Sequence, residues 1–159
     1  AIQAAQQPHR FLSVTKAGDT AIVATRGNQS CHIILRGGKN TGPNFDEDSV
    51  SEIKKALEDR DMDPCIMIDC SHANSDKDFR KQPGVCETIA AQIAAGDTAI
   101  RAVMIESNLN EGNQEASPDA DDLAYGVSIT DACVGWETTV EMVNHLAEAA
   151  RKRRASFLA

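Results

Sequence analysis

The chain has 159 residues, of which 42% are hydrophobic and 25% charged, and its formal net charge is -8. These proportions belong to an ordinary globular domain, and no apolar stretch is long enough to cross a bilayer. The acidic balance argues against nucleic acid and anionic membranes as partners and leaves a metabolite as the expected ligand, although a local basic pocket can still hold a small anion.

The opening residues AIQAAQQPH read as the last turns of a helix ended by Pro8, so the chain is expected to begin within an element. FLSVT (residues 11–15) and TAIVAT (20–25) are β-rich runs joined by a short turn containing Gly18, which predicts a hairpin. From there strand and helix alternate. Three short apolar runs predict buried parallel strands: HIILR (32–36), CIMID (65–69) and AVMIE (102–106).

A helical stripe follows each run. Val50, Ile53 and Leu57 share one helix face, with Asp48 or Ser49 as the expected cap. Val85, Ile89 and Ile93 repeat the pattern up to a stop at Gly96. Trp136, Val140, Val143, Ala147 and Ala150 predict the buried stripe of a third helix, with Trp136 as a packing anchor and the RKRR run (151–154) as its solvated, dipole-matched end. Cys31, Cys65, Cys70, Cys86 and Cys133 form an odd set without a CxxC pair, and four of them lie in or beside apolar runs. With no secretory signal in the sequence, they predict a reduced, cytoplasmic protein.

Each apolar run ends in a polar cluster with chemistry in it. Arg36, His72 and Glu106 recur at intervals of 36 and 34 residues, each long enough for one βαβ unit. Asp131 follows after 25 residues, the position expected on the loop between the last strand and its helix. Ligands in α/β folds sit beyond the carboxyl ends of parallel strands, so the four residues would line one rim of the sheet. Taken singly, His72 reads as a structural histidine, Glu106 and Asp131 as solvated carboxylates and Arg36 as a strand-end ion pair. Their joint placement favours a site. His9, His32 and His145 lack such company and are expected to be structural or on the surface, and the DADD run (119–122) lacks the spacing of a calcium loop and reads as solvated.

The motifs IILRGGKNTGPNF, MIDCSHANS, VMIESNLNEGNQ and YGVSITDACVGWE, in this order, closely resemble the type I 3-deoxy-D-arabino-heptulosonate 7-phosphate (DAHP) synthases, the first enzymes of the shikimate pathway. The resemblance runs through nearly the whole chain and implies an α/β fold, the C-terminal portion of a (β/α)8 TIM barrel. Residues 1–159 would be a single partial domain, with 11–25 a β-hairpin insertion and 32–159 the last three barrel strands and their helices. The implied reaction condenses phosphoenolpyruvate with erythrose 4-phosphate and water, yielding DAHP and phosphate. His72, Glu106 and Asp131 match the family's metal ligands, a mixed imidazole and carboxylate set suited to Mn, Fe, Co or Zn. The family's Cys ligand has no counterpart motif here, and neither Cys70 nor Cys133 is assigned to it. His72 and Asp131 are the expected proton carriers.

By the same resemblance Arg36 holds the phosphoenolpyruvate phosphate, its planar fork backed by two glycines that let the backbone approach an anion. Lys39 either adds charge to that pocket or points to solvent. Phe11, Ser13 and Val23 match positions that line an allosteric site for an aromatic amino acid, against the plainer reading of a hairpin packing its apolar face. EGNQ (111–114) matches a family signature to which the sequence assigns no chemistry.

A complete (β/α)8 barrel needs eight strands and about 250 residues, so this chain alone is expected to be inactive. Its open sheet edges are expected to be covered by a missing N-terminal half or by self-association. Two other functions compete: a related synthase that condenses phosphoenolpyruvate with a different aldose, and a non-catalytic metal- or phosphate-binding fragment.

Overall fold

The computed structural model describes residues 1–158 and divides into two compact units, Ala1–Ile33 and Ile34–Ala159. The first holds a short helix, α1 (Ile2–Gln6), and a two-stranded antiparallel ribbon, β1 (Arg10–Val14) with β2 (Thr20–Ala24). Gln7 leaves the helix in an extended conformation, as the residue before a proline should. Thr15 N–H donates to Asp19 O at 2.9 Å to close the ribbon, and Gly18 takes the left-handed φ of +90° that the turn demands. The register sets Phe11 opposite Val23, Leu12 opposite Ile22 and Ser13 opposite Ala21.

From Ile33, the last residue of the first unit, strand and helix alternate as expected: β3 (Ile33–Leu35), α2 (Glu47–Glu58), β4 (Ile66–Asp69), α3 (Gln82–Ala94), β5 (Ile100–Met104) and α4 (Trp136–Ser156). The three strands form one sheet in the order β3, β4, β5, with β4 and β5 parallel. The central position of β4 explains its sequence, because Ile66 and Ile68 are wholly buried and only its carboxyl end turns polar. Val50 and Leu57 of α2, and Val85, Ile89 and Ile93 of α3, are buried as their spacing predicts. No helix among the described residues is long and apolar enough to cross a membrane.

Two helix expectations are corrected. Helix α2 begins earlier than predicted: Asp46, not Asp48 or Ser49, is the cap, accepting from Ser49 N–H at 2.9 Å and from Ser49 Oγ at 2.8 Å. These bonds favour the charged carboxylate and hold its pKa below the usual aspartate range.

On α4 the predicted inward stripe is not the buried one. Trp136 is 56% exposed, Val143 51% and Val140 39%, so Trp136 is no packing anchor, while Ala147 and Ala150 are half-buried. Hydrogen bonds and α3 choose a different face. Thr139 Oγ1 lies 2.6 Å from Ser107 Oγ, Met142 and Ala149 are buried, and Met142 O accepts from Cys86 Sγ at 3.8 Å. At the far end Arg153 donates to Asp97 O at 2.7 Å and Ile100 O at 3.3 Å, so one member of the RKRR run ties α4 to the start of β5.

Candidate metal centre

The carboxyl ends of β4 and β5 and the loop before α4 bring three residues together. One ligand atom from each of His72, Glu106 and Asp131 lies within 4.8 Å of the other two. His72 Nε2 stands 3.7 Å from Glu106 Oε1 and 3.9 Å from Asp131 Oδ2. These separations are too long for hydrogen bonds. Two ligand atoms each about 2.1 Å from a shared ion stand roughly 3 to 4 Å apart, so the donor set fits a cation.

The orientation of His72 is set from behind. Asp69, 2% exposed at the end of β4, places Oδ2 2.7 Å from His72 Nδ1. With that carboxylate accepting the Nδ1 proton, Nε2 presents a lone pair to the two other carboxylates. Facing one space, the imidazole and two carboxylates form a mixed donor set that would suit a divalent cation. His72 itself sits at φ +48°, a left-handed conformation costly for a residue with a Cβ and found at functional sites.

Glu106 is held on both sides. Its backbone N–H donates to Gln82 Oε1 at 3.0 Å and its carbonyl accepts from Gln82 Nε2 at 3.1 Å, while Ser71 Oγ donates to its carboxylate at 3.1 Å. Gln82 is fully buried at the start of α3. Asp131 is more open, with a side chain 64% exposed. Its loop is pinned beside Glu106 by Val134 N–H donating to Glu106 O at 2.9 Å. The EGNQ segment now acquires a function in the fold. Asn113 Nδ2 donates to Thr130 O at 3.0 Å, and Gln114 Nε2 donates to Ala124 O and Val127 O at 2.9 and 3.0 Å, so the two amides brace the segment leading to Asp131.

Cys70 and Cys133 lie close to this centre in sequence, and both are buried. A side-chain hydrogen bond with Cys86, together with burial, pushes the Cys70 thiol up. Burial does the same to Cys133.

Next to His72 lies an open cavity of about 670 Å³ lined by Arg36, Lys39 and Lys77 as well as Asp76. Arg36 is exposed at the end of β3, and Lys39 lines the same space, so it belongs to the pocket. The loop after β3 is locked to the His72 loop through Asn74. Asn74 Nδ2 donates to Leu35 O at 3.1 Å and Asp69 O at 2.8 Å, and its Oδ1 accepts from Asn44 N–H at 2.8 Å. Gly37 is required where the loops meet, since a Cβ there would lie 2.9 Å from Ala73 Cβ and its φ is +68°.

Of the residues nominated from sequence, His72, Glu106 and Asp131 are brought together and Arg36 lines the adjoining cavity, while Asp69, Ser71, Gln82, Asn74 and Lys77 were not nominated. Only Asp69 had a readable signal: a carboxylate closing an apolar run, three positions before the histidine. In the hairpin, Phe11 and Val23 face each other and Ser13 lies two positions along the same face, so the three suggested regulatory residues share one surface. His9, His32 and His145 are exposed, as is the Asp119 to Asp122 loop.

Parallel strands whose carboxyl ends carry a histidine and two carboxylates beside a cationic cavity define an α/β protein with a candidate metal centre. Comparison with known proteins identifies the family. The model of the DAHP synthetase I family matches residues 1–144, and the chain belongs to that family. It is 54% identical over 157 residues to a putative phospho-2-dehydro-3-deoxyheptonate aldolase of Schizosaccharomyces pombe, covering 98% of this chain and 42% of that one. It is 53% identical over 154 residues to the Phe-sensitive enzyme of that name from Escherichia coli, covering 97% of this chain and 43% of the relative. The solved structure of the aldolase of the same name from Francisella tularensis superposes with a TM-score of 0.88 at 49% identity, over 96% of this chain and 43% of that one. The chain thus spans a little over two-fifths of the length of the relatives it matches.

Proposed function

We propose that these residues serve a 3-deoxy-7-phosphoheptulonate synthase, which condenses phosphoenolpyruvate with erythrose 4-phosphate. The observation that carries the reading is the convergence of His72, Glu106 and Asp131 on one cation-sized space beside the cavity of Arg36. In this reading β3, β4 and β5 are the last three strands of a (β/α)8 barrel, residues 1–159 are part of one barrel domain, and 11–25 are its hairpin insertion. Enzymes built on that fold carry their sites at the carboxyl ends of the strands, where these residues stand.

His72 Nε2, Glu106 and Asp131 would hold a divalent ion such as Mn, Fe, Co or Zn. A metal bound there supplies Lewis-acid polarisation of the tetrose aldehyde. Arg36 grips the phosphoenolpyruvate phosphate with its planar fork and orients the enol carbon towards the aldehyde. Water adds at the carbon bearing the phosphate, and inorganic phosphate leaves from it. Proton movement is assigned to Asp131, whose carboxylate reaches solvent; His72, expected from the sequence to share it, has Nε2 on the metal space and Nδ1 on Asp69 and so is assigned to metal binding.

Relatives of this chain carry the names Phe-sensitive and tyrosine-inhibited. Phe11, Ser13 and Val23, on one face of the hairpin, are proposed to contribute to a pocket for an aromatic amino acid.

The test fuses residues 1–159 behind the preceding portion of the Escherichia coli Phe-sensitive relative and assays DAHP formation with manganese. Turnover that disappears with His72→Ala supports the reading; a folded, manganese-loaded fusion without turnover overturns it. The 159 residues assayed alone are expected to make no product, since they supply only three of the eight strands.

A further inference from the structure

The cavity beside His72 carries one acid, Asp76, and that acid is already paired, with Lys81 Nζ 2.6 Å from its carboxylate. Arg36, Lys39 and Lys77 have no ion-pair partner among the described residues. Acidic residues outnumber basic ones 24 to 16 in this chain. Three uncompensated cations around one space in so acidic a protein form a focused positive potential suited to an anion.

Lys77 stands out because its position is fixed. It holds φ +60°, following Asp76 at φ +55° in the loop that begins with His72 at φ +48°. Three residues with side chains in the left-handed region within six positions persist only where surrounding structure enforces them, and such strain gathers at ligand-binding loops. The enforcement is visible. Lys77 N–H donates to His72 O at 2.7 Å, and Asn74 bonds this loop to the one carrying Arg36. The loops carrying Lys77 and Arg36 are therefore joined through Asn74 and border one cavity, next to the metal-capable triad.

We propose that Lys77 is a phosphate-binding residue, acting with Arg36 on the phosphate of phosphoenolpyruvate. The proposal rests on the functional reading above and adds a residue to its substrate site. A lysine acts as a flexible point charge on the phosphate while the arginine supplies the planar fork.

The experiment is calorimetric titration of phosphoenolpyruvate into the manganese-loaded fusion described above, its Lys77→Met, Lys77→Arg and Arg36→Met variants, and Lys152→Met as a surface control. Lys77→Met is expected to weaken binding about tenfold, a loss of ~1.4 kcal/mol. Lys77→Arg should retain most of the affinity, Lys152→Met all of it, and manganese affinity should be the same throughout. If Arg36→Met weakens binding and Lys77→Met does not, this proposal fails and the functional reading stands. If the fusion binds manganese but none of the proteins binds phosphoenolpyruvate, both fail.

Discussion

The hairpin and the metal-capable cluster solve opposite problems. Around His72 four buried side chains do the positioning: Asp69, Gln82, Asn74 and Ser71 are each at most 4% exposed, and each holds a loop or a ligand. The ribbon of β1 and β2 is held mainly by its own ladder and turn. Leu12, Val14 and Ile22 are 66 to 75% exposed on one face, while Phe11 and Val23 are 50 and 37% exposed on the other. Order in the first region comes from a buried polar network, which is costly to disturb because its members cannot be resolvated. In the second it comes from backbone pairing, with Thr15 and Thr25 hydroxyls accepting from Asp19 and His9 N–H at the ends of the ribbon.

Breaking this contrast should be most visible at the cluster. Glu106→Ala removes a ligand outright and is expected to weaken manganese binding by more than about a hundredfold, measured by electron paramagnetic resonance titration. Unchanged affinity would remove Glu106 from the ligand set. Asp69→Asn leaves all three ligands in place but disturbs the tautomer and aim of His72. A loss of about 10 to 100-fold is expected, with the circular dichroism spectrum preserved. An effect on folding and not on affinity would make Asp69 purely structural.

Smaller effects are expected farther out. Asp46→Ala should cost about 1 kcal/mol in urea unfolding through loss of the α2 cap. Because the folded pKa of Asp46 is lowered, its contribution is fully present above the usual aspartate range and fades as pH falls through the lowered folded value. The wild-type and Asp46→Ala proteins should therefore converge in stability in acid, and a constant gap at all pH values would contradict this. The hairpin offers the mildest outcome. Leu12→Ser and Ile22→Ser should change unfolding free energy by no more than about 0.5 kcal/mol. A larger loss would mean that these side chains are covered in solution.

The residues that were legible in the sequence share a property: each ends a run whose periodicity announces its element. Ile66 and Ile68 mark a buried strand, so the polar residues after them had to emerge at its carboxyl end. His72, Glu106 and Asp131 could be nominated together on that basis, and the family resemblance named their role. The reverse holds for Gln82 and Asn74. Each is an ordinary amide in sequence, and its value lies in partners 24 and 39 positions away. Trp136 was misjudged for a related reason. Its stripe with Val140 and Val143 is a sound helical pattern, but periodicity gives only the existence of an apolar face, whereas the bonds from Thr139 and Arg153 and the contact with α3 select which face turns inward.

The amino-acid order by itself determined the alternation of strands and helices, the hairpin and the residue types available for chemistry, because these depend on local periods and turn preferences. Tertiary structure decided which side of α4 is buried, that Asp46 caps α2, and that Asp69 aims His72 at two carboxylates. It also decided that Lys77 and Arg36 border one cavity. Such facts depend on distances between segments remote in sequence, and those distances exist only once the sheet has brought its strand ends together.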